Sequence, residues 1–310
     1  MAMRVLVSGA TGFIGRELCR RLHGDYEVIA LSRDAPKAGA LLGEGVSVVE
    51  WDARTTSGWA GLVEGAHAVI NLAGENVAAG RWTAARKSSI VQSRTDSTAA
   101  IVDAVNAARK KPTVVMQASA IGYYGSSGDE TLDEEAAPGS GFLADVCQEV
   151  ESLPAQIRSR EVRVVTIRTG VVLGMAGGAL PKLMMPFRLY LGGHVGTGRQ
   201  WFSWIGLADE VRAIRFLMER RDADGAFNLT APEPVPMKQF CQVLGEVLGK
   251  PAWTVMPEFL ARLGLGEMAD EMILTGQRVL PRRLMEAGFQ FEHPRLRDAL
   301  AAIIQGEEGR

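Results

Sequence analysis

The stretch Met3-Arg4-Val5-Leu6-Val7-Ser8-Gly9-Ala10-Thr11-Gly12-Phe13-Ile14-Gly15 decides the fold of this chain. Its first residues, 3–7, are short, apolar and rich in valine, which predicts a buried strand of a parallel sheet. Gly9 then permits a tight turn, Gly12 lets backbone amides approach a pyrophosphate, and Gly15 lets the next helix pack against the strand. A helix over 13–23 would point its N-terminal amides at that phosphate. The stretch therefore predicts an anion-binding turn.

Further signals around the turn favour a nucleotide-binding βαβ unit. The predicted helix is amphipathic, and a second strand, 26–32, follows it. A glycine triplet alone is a weak signal, because such turns also end strands for steric reasons, but the strand, helix and strand in this order are typical of dinucleotide binding. The turn residues that we expect to contact the dinucleotide are Gly9, Thr11, Gly12, Phe13, Ile14 and Gly15.

Composition indicates an ordinary globular protein. The 310 residues are 47% hydrophobic and 23% charged, with a net charge of -2, so nothing in the balance indicates binding to nucleic acid or to an anionic membrane. Cys19, Cys147 and Cys241 lie far apart in the sequence and in unrelated contexts. This pattern favours reduced thiols over a disulfide framework. The first strand begins almost at once and no run of 18 apolar residues occurs, so we expect neither a signal peptide nor a membrane span, and a cytoplasmic location. The four histidines are scattered, and we expect no metal site.

Strand and helix signals alternate up to residue 170, which predicts an α/β Rossmann domain with a doubly wound parallel sheet. Six strands are expected in this part, at 3–8, 26–32, 46–50, 67–72, 112–118 and 162–168, and helices at 13–23, 57–64, 83–109 and 142–159. Substrate-side loops and a returning strand at 226–229 follow within 171–231. The last part, 232–310, is expected to be mainly helical, with helices at 237–249, 257–263 and 295–304. The expected division is therefore 1–170, 171–231 and 232–310.

The end of the second strand favours NADP over NAD. A carboxylate at this place would bind the ribose hydroxyls of NAD and repel the 2′-phosphate of NADP. Here the strand ends at Ser32 and Arg33, which can donate to a phosphate. Asp34 follows directly and argues the other way. We therefore predict NADP as the cofactor.

The glycine spacing resembles the TGxxGxxG fingerprint of the extended short-chain dehydrogenase/reductase superfamily, with Ser8 in place of the leading Thr. This resemblance implies further cofactor contacts at the ends of the third and fourth strands. Asp52 would bind the adenine edge, and Leu72, Ala73 and Gly74 would support the middle of the cofactor. Members of the superfamily that transfer a hydride use a Ser or Thr after the fifth strand, then a Tyr and a Lys on the next helix.

Only the first of these catalytic residues has a match here. Ser119 follows the fifth predicted strand, whereas the next helix contains neither Tyr nor Lys between 142 and 151. Either Leu143 and Cys147 or Phe142 and Val146 occupy the two places, and we favour the register with Cys147 at the position of the lysine.

These departures resemble one atypical branch, the YfcH-like NAD-dependent epimerase/dehydratase family, which has its own C-terminal domain. The resemblance extends over essentially the whole chain, including segments 71–76, 168–174, 200–205 and 228–232. It implies an arginine at the place of the helix asparagine, Arg94, and cofactor contacts at Arg94 and Val172. It does not indicate a substrate.

Several roles stay open from the sequence. Tyr124 is the best remaining proton donor, or else a buried structural tyrosine, and Cys147 is a thiolate or a packed helix residue. Trp201, Phe202 and Trp204 belong to the core or to the substrate wall, and the acidic run 129–135 is most simply a solvated loop. We predict an NADP-binding oxidoreductase or epimerase that acts on a small carbonyl or sugar-like substrate. The alternative is a non-catalytic NADP(H) sensor that lacks the Tyr/Lys dyad.

Overall fold

The computed structural model describes residues 2–306. Its strands are β1 (Met3–Ser8), β2 (Tyr26–Ser32), β3 (Ser47–Glu50), β4 (Ala68–Asn71), β5 (Val114–Ala120), β6 (Thr131–Leu132), β7 (Arg163–Thr169), β8 (Val171–Leu173), β9 (Gly192–Val195), β10 (Trp201–Phe202), β11 (Trp204–Gly206), β12 (Gly225–Leu229), β13 (Val235–Pro236), β14 (Ala252–Met256) and β15 (Arg278–Val279). Its α-helices are α1 (Phe13–Leu22), α2 (Ala35–Leu42), α3 (Ala84–Ala107), α4 (Phe142–Ser152), α5 (Leu180–Arg188), α6 (Leu207–Glu219), α7 (Met237–Leu248), α8 (Glu258–Leu265), α9 (Glu267–Met272), α10 (Arg282–Glu286) and α11 (Leu296–Gln305).

Seven strands form one parallel sheet in the order β12-β7-β5-β4-β1-β2-β3. The chain leaves β1 toward β2 on one side and returns to β4 on the other, so the strand order reverses between β1 and β4. Ligands of doubly wound sheets bind at such a reversal, beyond the carboxyl ends of the strands. The Rossmann architecture predicted from the alternating signals is confirmed, and the glycine turn after β1 lies at this reversal.

Helices cover both faces of the sheet. Successive side chains of a strand point to opposite faces, and the apolar ones on each face need a layer to pack against. Val5 and Val7 face one layer, where they pack with apolar residues of α1 and α6. Leu6 faces the opposite layer, which α3 supplies, together with Trp51 and Trp59. These side chains are almost fully buried, so the sheet is a rigid base for the loops at its carboxyl edge.

Two predicted helices are shorter than expected. The segment 57–64 contains only a 3-10 turn at Ala60–Val63. The segment 142–159 is helical only to Ser152, because Pro154 lacks the amide hydrogen that would continue the helix and instead starts a 3-10 turn. The sequence reading also missed α2, whose first turn is capped by Asp34.

The part after β7 builds a second core beside the sheet. Phe187, Trp204, Phe240 and Leu300 are buried together there, and β12 returns to the edge of the main sheet. The division at residues 170 and 231 stays a prediction. Met1 and 307–310, which belong to the first and last predicted parts, lie outside the described residues. Within the described residues, no helix is long and apolar enough to cross a bilayer.

Candidate functional site

The glycine turn forms a cradle in which side chains would not fit. Gly9 has φ +66°, and a Cβ there would overlap the carbonyl group of Leu72. The amide of Gly12 closes the turn on the carbonyl oxygen of Gly9 at 2.9 Å. Helix α1 begins directly after it, and no side chain among the described residues caps its N-terminus. The first amides of α1 therefore stay available to an anion.

The structure places the residues of the turn in different roles. Gly9, Thr11 and Gly12 line a cleft of about 470 Å³ at the carboxyl edge of the sheet. Gly15 is buried, and a Cβ there would overlap the carbonyl oxygen of Gly9, so this glycine allows close packing rather than ligand contact. Phe13 and Ile14 also lie outside the lining of the cleft. The ring of Phe13 packs under the loop 174–178, and Ile14 packs against the core.

The part of the cleft around the end of β2 carries charges of both signs. Ser32 and Arg33, at the end of β2, line it together with Lys37 and Arg54. The carboxylate of Asp34 accepts the amide of Lys37 at 3.0 Å and so caps α2. This carboxylate therefore has a structural role at the start of α2, and it keeps its negative charge beside Arg33.

Asp52 lines the same cleft at the end of β3. Its Oδ1 accepts the amides of Arg54 and Thr55, each at 2.8 Å, and its Oδ2 accepts the Thr55 hydroxyl at 2.9 Å. These bonds, the backbone ones from Thr55 and Arg54 first, lower the pKa of Asp52. The carboxylate is therefore ionised and fixed in position, with lone pairs left for a donor such as an adenine amino group.

A buried polar network fixes the strand end next to the cradle. The side chain of Asn71 is fully buried, accepts the Ser8 hydroxyl at 2.5 Å and donates to Gln117 at 2.9 Å. Its oxygen also accepts the amide of Ala73 at 3.2 Å. The network joins the ends of β1, β4 and β5, so the backbone of residues 72–74 is held where the cleft continues.

The cleft at the glycine turn adjoins a second cavity of about 420 Å³, and both are lined by Leu72, Ala73 and Gly74. The second cavity contains Ser119, Arg94 and Cys147, and the Rossmann part and the C-terminal part of the chain both contribute to its wall. Val172 lies outside its lining, paired with Ile205 in the core, whereas the neighbouring Val171 lines it. Cradle and cavity therefore adjoin at residues 72–74.

Ser119 is backed by a buried ion pair that the sequence reading missed. Its hydroxyl donates to Oε1 of Glu151 at 2.6 Å. Arg168 holds the same carboxylate through Nε at 3.0 Å and Nη2 at 2.8 Å, and the two side chains are only 6% and 12% exposed. Burial lowers the pKa of Arg168, but the bonds and charge of Glu151 outweigh it and raise the pKa overall. Glu151 therefore fixes the Ser119 hydroxyl as a donor.

Tyr124 does not reach the cavity. It is 2% exposed, and its hydroxyl donates to Asn228 at 2.7 Å and accepts from Arg168 at 3.0 Å. Burial raises its pKa to about 12. This placement argues against the predicted role of Tyr124 as proton donor and favours the structural alternative, because both sides of the hydroxyl are occupied.

Cys147 and Arg94 both line the second cavity. The register with Cys147 at the position of the lysine stays a prediction, because Val146 of the other register lines the same wall. Burial raises the pKa of the Cys147 thiol, and its Sγ lies 3.7 Å from the carbonyl oxygen of Ala120. The thiol is therefore protonated at neutral pH. Arg94 donates to the carbonyl oxygens of Ile90 and Glu75 and lies against Gly74, at the junction with the cradle.

Residues 200–203, together with 237, 271–273 and 275–277 of the C-terminal part, form the roof of the cavity. Trp201 and Phe202 line it, whereas Trp204 is fully buried in the core. Glu271, from α9, accepts the amides of Phe142 and Leu143 at 2.7 and 2.9 Å and so caps α4, the helix that carries Cys147. The cap comes from a residue almost 130 positions later, which local sequence patterns do not reveal.

The acidic run is a docking point for the C-terminal part rather than a solvated loop. Glu134 accepts the amides of Asn228 and Arg283 at 2.9 and 3.2 Å, and burial raises its pKa. Asp133 and Glu135 pair with Arg282. The loop therefore contacts both β12 and α10 through Glu134.

The chemistry of the donors fits a nicotinamide dinucleotide. The uncapped helix start suits the diphosphate, Asp52 suits the adenine, and the backbone of 72–74 leads from the cradle to Ser119. Among residues 2–306, no cluster of three or more His, Cys, Asp or Glu side chains is placed to hold a metal ion.

Comparison with family models assigns both parts of the chain. Residues 5–230 match the NAD dependent epimerase/dehydratase family, and 256–303 match a domain of unknown function, DUF1731. The chain is 41% identical to the chloroplastic epimerase family protein SDR39U1 homolog of Arabidopsis thaliana, over 98% of this chain and 87% of that protein. It is 34% identical to the epimerase family protein SDR39U1 of Mus musculus, over 97% of this chain and 100% of that protein.

Solved structures agree with this assignment. The human epimerase family protein SDR39U1, solved with NADPH, superposes with a TM-score of 0.87 at 31% identity, over 98% of this chain and 99% of that one. A UDP-glucuronic acid 4-epimerase from Bacillus cereus, at 17% identity and a TM-score of 0.78 over 98% of both chains, shares the fold. The chain therefore belongs to the NAD dependent epimerase/dehydratase family of extended short-chain dehydrogenases/reductases, in the branch that carries a DUF1731 domain.

Proposed function

We propose that the protein is an NADP(H)-dependent oxidoreductase or epimerase that acts on a carbonyl or alcohol group in the second cavity. The observation that supports this most is the shared wall at residues 72–74, which joins the anion cradle to a cavity that contains Ser119. A nicotinamide ring beyond that wall would lie in the same space as a substrate. When bound, the cofactor supplies or accepts a hydride at C4 of its nicotinamide.

The proposed preference for NADP rests on charge at the ribose end. Arg33 and Lys37 line the cleft near the end of β2, where a 2′-phosphate would extend, whereas Arg54 is already paired with Asp96 at 3.5 Å. A phosphate gains charge-assisted hydrogen bonds from such cations. The human relative that was solved with NADPH is consistent with the same choice.

The residues of the cavity would orient the reacting oxygen. Because the Ser119 hydroxyl donates to Glu151, its oxygen can accept a hydrogen bond from a substrate hydroxyl or from a water beside a carbonyl. Such a water would replace the absent tyrosine as the proton source. Cys147, with its thiol protonated, would act as a packing residue of the wall rather than as a nucleophile.

The test is a fluorescence titration with NADPH and NADH. We expect NADPH to bind more tightly, and Arg33→Ala to weaken NADPH binding about tenfold or more while leaving NADH unchanged, because it removes one charge-assisted contact. Arg160→Ala, which changes an exposed arginine before β7, serves as the control. Equal affinities for the two nucleotides that Arg33→Ala leaves unaltered would contradict the cofactor assignment.

The second candidate function is a non-catalytic NADP(H) sensor. One observation favours it: none of the described residues that line the cavity is a Tyr or a Lys. Oxidation of NADPH with a panel of carbonyl compounds distinguishes the two, since only the enzyme would show turnover that falls in Ser119→Ala.

We propose the cytoplasm as the compartment, where Cys19, Cys147 and Cys241, all free and buried, would stay reduced.

A further inference from the structure

Charged groups in the second cavity are few and already paired. Of the described residues that line it, only Arg94 and Glu271 carry a charge. Both carboxylate oxygens of Glu271 accept backbone amides of α4. Arg94 donates to two backbone carbonyl groups and lies against Gly74, on the cofactor side. The substrate side of the cavity therefore offers no cation to a phosphate.

The uncharged polar side chains of the roof are also engaged. Gln200 donates to the carbonyl oxygens of Val195 and Ile273, and Gln277 donates to that of Gly125 at 2.8 Å. The hydroxyls of Ser203 and Thr275 each donate to a carbonyl oxygen at 2.7 Å. These bonds hold the roof together and leave few free donors for a sugar with many hydroxyl groups.

The remaining wall is apolar. It includes Val77, Leu143, Val146, Phe202, Met237 and Met272. A diphosphate placed against these side chains would lose its hydration without gaining partners, which is costly. An apolar chain would instead gain about 25 cal/mol for each Å² that it buries. The balance between these two effects selects strongly against charged ligands.

We propose that the substrate is an uncharged, mainly apolar ketone, aldehyde or alcohol, and that nucleotide-diphosphate sugars are not accepted. This inference rests on the proposed function, because it assigns the substrate class of the same site. Because the Ser119 hydroxyl donates to Glu151, its oxygen orients an alcohol directly and a carbonyl group through a bridging water, and the apolar wall holds the rest of the molecule. The distant relatives solved with UDP-sugars share the fold with this chain at 16–20% identity.

The test measures binding by calorimetry on the full chain in the presence of NADP⁺, because NADPH would reduce a ketone that the protein accepts. We expect the affinity for methyl ketones from 2-butanone to 2-decanone to rise about fourfold for each added methylene until the cavity is full. UDP-glucose and UDP-galactose should show no saturable binding. An affinity that stays flat along the ketone series, or a UDP-sugar that binds more tightly than 2-decanone, would overturn the proposal.

A pair of variants locates the ketone. Met272→Gln replaces a lining side chain that is 38% exposed by a polar one of similar size, and should weaken 2-decanone binding about tenfold. Met285→Gln, at a methionine that is 51% exposed and outside the lining, should leave it unchanged. Equal effects of the two variants would also count against the proposed wall. A fluorescence titration of each variant with NADPH, without ketone, reports the cradle separately, so a failure of cofactor binding is distinguished from a failure of ketone binding.

Discussion

The buried pair of Glu151 and Arg168 gives the sharpest prediction. Glu151→Gln keeps the shape of the side chain and removes its charge, which leaves the Arg168 guanidinium, only 6% exposed, without its counterion. Removing one partner of a buried ion pair typically lowers the free energy of unfolding by roughly 3–5 kcal/mol. Arg168 keeps a hydrogen bond to Tyr124 at 3.0 Å and the ring of Tyr123 at 3.5 Å. We therefore expect the lower end, about 3 kcal/mol.

The assay is urea denaturation followed by tryptophan fluorescence, with Glu286→Gln as the matched control. Glu286 also pairs with an arginine, Arg282, but the two side chains are 62% and 49% exposed, so its loss should cost less than about 1 kcal/mol. A cost below about 1 kcal/mol for Glu151→Gln, or equal costs for both variants, would refute the reasoning that burial makes this pair essential.

Three further predictions concern the cradle, a buried carboxyl group and the roof. Gly9→Ala should weaken NADPH binding at least about tenfold in fluorescence titrations, because residue 9 has a positive φ and no room for a Cβ. Gly24→Ala is the control, because Gly24 also has a positive φ but open space around it, and this variant should bind NADPH as the unaltered protein does. Burial raises the pKa of Glu210 to about 8, so the folded state keeps a proton that the unfolded state releases near pH 4.5. The free energy of unfolding should therefore fall as pH rises from 6 to 8, by up to about 1.4 kcal/mol per pH unit, and urea midpoints of Glu210→Gln should lack this part of the slope. Glu271→Ala should cost about 1 kcal/mol in the same assay, since it removes the cap of α4, and an unchanged midpoint would show that the cap is dispensable.

The sequence predicted the Rossmann sheet because its signals are local. A buried parallel strand needs only a short apolar run, and the turn after β1 needs glycine at a position with positive φ, so residues 3–15 carry enough information by themselves. The helix ends were less predictable. Asp34 reads as a carboxylate that would discourage NADP, whereas the structure uses it as the cap of a helix that the pattern did not reveal.

The contacts between distant parts of the chain could not be predicted. Ser119 was expected in the site, but its partner Glu151 is recognisable only once α4 is packed on β5. Tyr124 lies close to Ser119 in sequence, yet the 3-10 turn at Ile121–Tyr124 turns its side chain toward Asn228 instead of the cavity. The same limitation applies to Glu271, whose two acceptor bonds depend on the position of α9 over α4.

The shared wall at residues 72–74 has a consequence for how such proteins can diversify. Two of its three residues have at most a methyl side chain, and the backbone serves both compartments, so substitutions here would disturb nucleotide and substrate together. The roof, by contrast, contacts only the second compartment through Trp201, Met237 and Met272. Evolution or a designer can therefore change substrate preference by altering the roof alone, while the inherited nucleotide machinery stays intact.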